Sequence, residues 1–495
     1  MADTKEFFTS RWGMILSVIG IAVGTGNIWR FSRIVAQNGG GSFLIPWVIF
    51  LFIWSIPLII TEFAIGKSKR LGTVGGIASL AGNRFAWMGA FIGFVSTAIM
   101  FYYSVVAGWC MKYLTNALTG TLVTTGDHIA LWNSFTTGYE PVMFHFIAMA
   151  IGGFVIYKGV AKGIERTSRY LIPALLVILL TLALRAVTLD GAWDGIRYFF
   201  TPDIETLLDY KVWLAALTQN AWDTGAGWGL ILTYAIYARK NEDITLNGAL
   251  TALGNNSVSI LAGITIFATV SALAPGGGIT ELISGSGSTN TGLAFIFLPQ
   301  LFDKMPGGTF VQSFFSTIFF LGLTFAAITS LISMIELAVR VLIDMGLTRN
   351  RAIALTLSLG FLLGIPSALS MMFFENQDWV WGVGLMISGG FISFAVIKHG
   401  ADKFRREAVN GEGTDVKVGK WYNIIITWLI PLQVIVLIFW WFYLAITDFD
   451  KDGWWNPFHT YSVGTCLLQW GVIMTVFILM NRFMVRRVFS RVKEA

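Results

Sequence analysis

Hydrophobic residues in this chain come in long continuous blocks, not in the spaced stripes of soluble helices. Apolar runs of about 20 residues, the length a helix needs to cross roughly 30 Å of hydrocarbon, recur along it. They lie at about 11–36, 41–66, 87–115, 141–158, 170–189, 212–238, 257–274, 310–343, 352–371, 379–398, 422–446 and 460–482. The pattern predicts twelve transmembrane helices in a single all-α membrane domain over residues 1–495, with only short polar connections. Two blocks carry an interruption. Gly20, Gly24 and Gly26 cluster in the first, and Gly225, Gly227 and Gly229 break the sixth. In hydrocarbon a backbone group released from its helix must find another partner, so such a break is tolerable only where protein buries it or something polar binds there. Paired breaks at matching places in two halves of a chain point to a transporter's substrate site. One glycine cluster alone fits close helix packing equally well. Two clusters, flanked by Asn27 and Asp223, favour the binding-site reading.

Composition agrees. Of 495 residues 55% are hydrophobic and 13% charged, about half the charge of an ordinary soluble domain. The first ten residues are polar and carry no cleavable signal pattern, so the first block is expected to be retained as a helix. With the N-terminus inside, Lys5, Arg11, Lys67, Lys69, Arg70, Arg84, Lys158, Lys162, Arg166, Arg239, Arg349 and the 398–420 loop all fall on the cytoplasmic side. That bias orients the chain with both termini cytoplasmic. It accounts for the net charge of +6 without a nucleic-acid partner; the expected surroundings are membrane lipid. Cys110 and Cys466 lie in apolar blocks and suggest no disulfide. The sequon Asn255-Asn256-Ser257 is expected at the cytoplasmic end of the seventh block, beyond reach of glycosylation. Short outer loops then suggest a prokaryotic plasma (inner) membrane. Trp440, Trp441, Trp454 and Trp455 read as interfacial belt residues. No pattern of a nucleotide site or catalytic triad is present, and an enzyme is not expected.

The run AVGTGNIWRF (22–31) is followed by Asn38-Gly39-Gly40-Gly41, by Phe43-Leu44-Ile45-Pro46, by Glu62 and by Tyr102-Tyr103. Further on come Thr233-Tyr234 and Ala326-Ala327-Ile328-Thr329-Ser330. In this order and spacing they resemble the neurotransmitter:sodium symporter family, over about residues 8–480. The resemblance implies a leucine-transporter-type fold with inverted repeats at about 11–189 and 212–398, broken helices one and six, and helices 11 and 12 at about 422–482. It also implies two sodium sites. The first would use Ala22, Asn27, Asp223 and Asn255; the second Gly20, Val23, Ala326, Thr329 and Ser330. Neutral carbonyl and hydroxyl oxygens with at most one carboxylate suit a hard cation.

The same resemblance assigns a zwitterionic substrate to a pocket of Ala22, Thr25, Gly26, Ile99, Tyr103, Trp222, Gly225, Trp228, Ser330 and Met334. Relatives that carry amines have Asp at Gly24, so the expected substrate is a neutral amino acid with an apolar or aromatic side chain. Trp222 and Trp228 would also suit a betaine-like quaternary ammonium through cation–π attraction. A sensor of the same fold without transport, and coupling to protons through Asp223 or Glu62, are further readings. Arg30 and Asp378 would close the outer side, and Lys5, Asp344 and Tyr237 the inner. Chloride-dependent relatives bind an anion with residues matching Gln219, Asp223 and Ser259, but here Asp replaces a Ser and Trp47 a Tyr. The carboxylate is expected to replace chloride. Glu62 is expected to accept bonds from the unwound backbone of helix one, and Glu336 to be a buried structural acid. The sequence carries no reading of oligomeric state.

Overall fold

A computed structural model describes residues 6–274, 279–284 and 292–494. Among them ten helices are long and apolar enough to cross a membrane, and one bent helix pair adds an eleventh span. The bent pair is α1 (Arg11–Ala22) and α2 (Trp29–Gln37), which meet at 67° across a single 3-10 turn. The next four are α3 (Gly41–Lys69), α4 (Asn83–Leu118), α5 (Glu140–Tyr157) and α6 (Val160–Val187). The sixth block is two short helices, α7 (Tyr210–Asp223) and α8 (Leu230–Ala235). Neither is long enough to span alone. There follow α9 (Ile244–Leu273), α10 (Gly308–Asp344), α11 (Arg349–Leu369), α12 (Met371–His399), α13 (Trp421–Phe449) and α14 (Val463–Ser490). No strand occurs among the described residues.

The hydropathy pattern locates these spans but starts three of them late, the fifth at 170 against Val160, the tenth at 379 against Met371 and, by the widest margin, the seventh. It predicts a start near 257, whereas α9 begins at Ile244. The missed turns carry Asn247, Thr251, Asn255 and Asn256, all buried against other helices. Polar residues on an inward face lower mean hydropathy without meeting lipid. Asn255 therefore sits inside a helix, not at its end, and the sequon is closed by packing.

Layering follows burial. α4 and α10 lie along one another at the centre, and most of each is enclosed by protein. α13 and α14 are mainly exposed, as peripheral helices facing lipid must be. Of the first half-helices of the two broken spans, α1 packs against α6, α9 and α10, and α7 packs against α3. α3 holds a π turn at Leu51–Ser55. Beside it Asn220 of α7 donates to the Trp47 carbonyl at 2.9 Å and accepts from Ser55 at 3.0 Å, so α7 is clamped to α3 where that helix widens.

Glu62 departs from expectation. Its carboxylate, fully buried, accepts from the backbone N–H groups of Gly227 at 2.7 Å and Leu232 at 3.1 Å. It serves the second break, not the first. The physical reason is the start of α8, whose leading N–H groups have no partner within their own helix and whose dipole favours an anion. Glu62→Ala leaves two buried donors unpaired, at about 1–3 kcal/mol each. Thermal unfolding in detergent should show a marked loss of stability, with Glu62→Gln intermediate. Unfolding of the alanine variant at the parent temperature would contradict this role.

Candidate functional site

The two breaks use different backbone devices. Val23 ends α1 in an extended conformation, and Gly24 continues it at φ −120°, ψ −173°. The Gly24 N–H donates to Asn27 Oδ1 at 2.7 Å. A Cβ on Gly24 would lie 3.2 Å from the Tyr103 hydroxyl and 3.3 Å from that of Ser330, so both polar atoms approach the chain closely. In the second break Gly225, Gly227 and Gly229 all have positive φ, from 69° to 88°, a region open to glycine at little cost. Gly227 also passes within 3.0 Å, at its missing Cβ, of Gly389 on α12. The Trp228 carbonyl released there accepts from Ser96 of α4 at 2.6 Å.

Between the breaks lies a cavity of about 120 Å³. Ala22, Thr25, Gly26, Ile99, Tyr103, Trp222, Gly225, Trp228, Ser330 and Met334 all line it. Sequence reasoning missed Val106 and Phe374, which complete its apolar wall; being ordinary helix residues, they gave no signal. The Tyr103 hydroxyl accepts from the Thr25 N–H at 3.3 Å. The Tyr103 hydroxyl and the 3-10 turn thus face the cavity together, a setting suited to a carboxylate.

Polar groups gather at two places beside it. In the first, the Asn255 carboxamide lies 3.1 Å from the Ala22 carbonyl and 3.2 Å from the Asp223 carbonyl. Asn27 Nδ2 lies 2.8 Å from Asn255 and 2.9 Å from Ser259. In the second, the Ser330 hydroxyl is 3.4 Å from the Gly20 carbonyl and 3.1 Å from that of Val23. Thr329 Oγ1 is 3.1 Å from the Ala326 carbonyl. Two oxygens bound at a right angle to one hard cation at about 2.4 Å stand about 3.4 Å apart. The Ser330 hydroxyl and Gly20 carbonyl have that spacing; the other pairs stand at ordinary hydrogen-bond distances of 2.8–3.2 Å.

The carboxylate of Asp223 is buried between α7 and α9. One oxygen accepts from Ser259 at 3.2 Å and from Asn255 at 3.4 Å. The other has no hydrogen-bond partner, and neither does Gln219 Oε1 or Trp47 Nε1. Two buried unpaired acceptors offer lone pairs rather than protons.

The cavity continues outward into a larger one of about 550 Å³, which shares Arg30, Gln219, Trp222, Phe374 and Asp378 with it. Trp222 stands at the junction, more a lid than a wall. The Arg30 guanidinium lies 4.1 Å from its ring centre, and a Cβ on Gly382 would overlap the indole. Trp228 meets Trp222 edge to face at 6.4 Å. Trp440 and Trp441 line the outer cavity rather than standing only at the membrane interface.

Of the residues expected to close the inner side, Tyr237 and Asp344 lie among the described ones. Tyr237 donates to Glu336 at 2.6 Å, and Arg349 holds the same carboxylate at 3.0 Å. Glu336 of α10 thus joins the segment after α8 to α11. Asp344 pairs with Arg340 at 2.8 Å and accepts from the Gly72 N–H at 2.6 Å. Lys5 lies outside the described residues. Arg239 donates to the Phe8 carbonyl at 3.0 Å, fixing the segment before α1.

Comparison with known proteins decides the family. A sequence profile of the Sodium:neurotransmitter symporter family matches residues 5–137 and 138–489. The chain belongs to that family. An uncharacterized sodium-dependent transporter of Methanocaldococcus jannaschii is 31% identical over 452 residues, covering 88% of this chain and 90% of that one. The sodium-dependent serotonin transporter of Drosophila melanogaster is 28% identical, with 93% and 80% covered. The crystal structure of MhsT in complex with L-phenylalanine superimposes with a TM-score of 0.75 at 28% identity, over 88% of this chain and 99% of that one. The family is one of sodium-dependent membrane transporters, not enzymes, and the all-helical fold here is theirs.

The lid geometry yields a test. In this transporter Gly382→Val must push the Trp222 indole off α12 toward the cavity. Substrate binding should fall at least tenfold, while Gly382→Ala, which asks for a smaller shift, should cost less. Equal affinity in all three proteins would mean that Trp222 does not stand over the cavity.

Proposed function

We propose that this transporter imports a neutral amino acid with an apolar or aromatic side chain, driven by two sodium ions, through alternating access. The observation that carries the proposal is the convergence of the ten expected substrate residues on one cavity flanked by two polar clusters. Sodium at Ala22, Asn27, Asp223 and Asn255 would sit beside the substrate carboxylate. Sodium at Gly20, Val23, Ala326, Thr329 and Ser330 would tie α1 to α10. The carboxylate would meet the amides of the 3-10 turn and the Tyr103 hydroxyl. Ile99, Val106, Phe374, Trp228 and Met334 would enclose the side chain. Support for the substrate class comes from the apolar wall, from glycine rather than a carboxylate at 24, and from L-phenylalanine in the MhsT complex. A betaine-like substrate is less favoured, because the Arg30 guanidinium already lies over the Trp222 ring.

Binding of sodium from outside would complete the pocket. Substrate would then let Trp222, Arg30 and Asp378 close over it, and loss of the second sodium would free α1 to open the inner side. A tenfold sodium gradient gives about 1.4 kcal/mol per ion, and 100 mV adds about 2.3 kcal/mol per charge. Two ions together supply roughly 7 kcal/mol, enough to concentrate a neutral zwitterion about 10⁵-fold. In this reading the protein lies in the plasma (inner) membrane among lipid, with both termini cytoplasmic and the halves 11–189 and 212–398 as inverted repeats. Asp223 stands where relatives hold chloride. With Gln219 and Ser259 around it, its carboxylate would supply the negative charge, and chloride would not be required.

Uptake into proteoliposomes tests this reading. Radiolabelled phenylalanine or leucine should accumulate under an inward sodium gradient, and not under a potassium gradient or a pH gradient alone. Accumulation driven by pH without sodium would contradict it. Asn27→Ala and Asp223→Ala should each weaken sodium-dependent binding by tenfold or more; unchanged sodium affinity in both would remove the first site. Asp223→Ser should make uptake depend on chloride. Equal rates for that variant in chloride and gluconate would refute the substitution of chloride by Asp223.

A further inference from the structure

The inner side holds one fully enclosed carboxylate that neither the sequence reading nor the proposed transport cycle uses. Glu165 stands at the cytoplasmic start of α6, ending the π turn Val160–Glu165, and its side chain is 1% exposed. It accepts from the Thr9 N–H at 2.6 Å, the Thr9 hydroxyl at 2.7 Å and the Ser10 hydroxyl at 2.9 Å. Arg169, one turn along α6, donates to it at 2.7 Å. Three of its four donors therefore belong to the segment that leads into α1.

The same contact is built into α1. The Ser10 hydroxyl that donates to Glu165 also accepts from the Gly13 N–H at 3.0 Å, capping the helix. A Cβ at Gly13 would overlap the Glu165 carboxylate, so glycine there lets the first turn of α1 lie against it. A second tie runs the other way, from the Val160 N–H to the Glu6 carboxylate at 2.8 Å. Hydrogen bonds to an ionised acceptor are about twice as strong as neutral ones. Freeing α1 breaks three of them together, yet Arg169, half exposed, stays with Glu165 and water can replace the rest.

We propose that Glu165 is the latch of the inner side: a positioning residue whose bonds to Thr9 and Ser10 hold the start of α1 against α6 and set the balance between closed and open inner states. The proposal rests on the alternating-access reading for its consequence in transport, but its structural content does not need sodium or substrate.

The test is a distance measurement by pulsed electron resonance on the full-length protein in detergent. Spin labels at Arg11 and Arg84, both exposed, report on α1 and on the start of α4, while Cys110 and Cys466 are buried. In sodium without substrate the parent should give a single short distance. Glu165→Gln should raise the share of a longer distance about tenfold, in line with loss of charge-assisted bonds. Thr9→Val combined with Ser10→Ala should raise it similarly, and adding Glu165→Gln to that pair should change little more, since the same bonds are already gone. Glu165→Gln should also weaken sodium binding in proportion, although it touches neither polar cluster. A distance distribution identical to the parent, or fully additive effects of the two sides, would overturn the latch. If Glu165→Gln does not fold, Thr9→Val alone must still lengthen the distance, and failure to do so overturns it equally. A latch that shifts in a protein showing no sodium-driven uptake would leave this inference standing and refute the transport reading.

Discussion

A backbone amide or carbonyl inside a bilayer has no water to turn to, and the rest of this structure is arranged around that constraint. Two helices are broken in the middle of the molecule, and the groups so released are paired by side chains from elsewhere. Asn27 accepts from the Gly24 N–H, Ser96 donates a hydrogen bond to the Trp228 carbonyl, and Glu62 accepts from N–H groups of the second break. The unwound carbonyls of α1 face the Ser330 hydroxyl. A helix that keeps its bonds to itself has nothing to offer a ligand. A broken one, held by its neighbours, presents oxygens and amides at fixed places.

This division of labour explains why scaffold and site lie where they do. α4 and α10 form the enclosed centre and supply one wall, with Ile99, Tyr103, Ser330 and Met334. The half-helices α1, α2 and α7 and the link before α8 supply the other. Closure takes two forms. Beside the larger cavity, an aromatic lid carries a guanidinium on its face. Elsewhere, buried carboxylates at Glu165 and Glu336 gather donors from several helices. Ionic bonds in an enclosed setting are strong only when complete, which suits a closure that is either made or released.

The spans and both breaks were legible because they depend on patterns of few letters: apolar length and clustered glycine. The pocket residues were legible only through resemblance, since Ile99 or Met334 looks like any other core residue. Three features escaped. The start of α9 was hidden by Asn247, Thr251 and Asn255, whose burial depends on which face meets protein. The partner of Glu62 could not be read because it lies 165 residues away, and spacing along the chain says nothing of which break it reaches. The part of Trp222 as a lid depends on Gly382 having no side chain, a complementarity between two helices that one sequence does not display. Charge was the most deceptive signal. Tyr237 read as part of an inner closure with Lys5 and Asp344, and its bond to Glu336 was not foreseen, because the acid that meets it is set by helix rotation.

The central claim is that sodium and substrate complete one site at the breaks. Its most direct test is the thermal stability of the purified protein with a panel of neutral amino acids and betaines, each in sodium and in potassium. The account predicts that at least one apolar or aromatic amino acid raises the unfolding temperature in sodium and not in potassium. Stabilisation of equal size in both salts, or none by any compound in either, would contradict it.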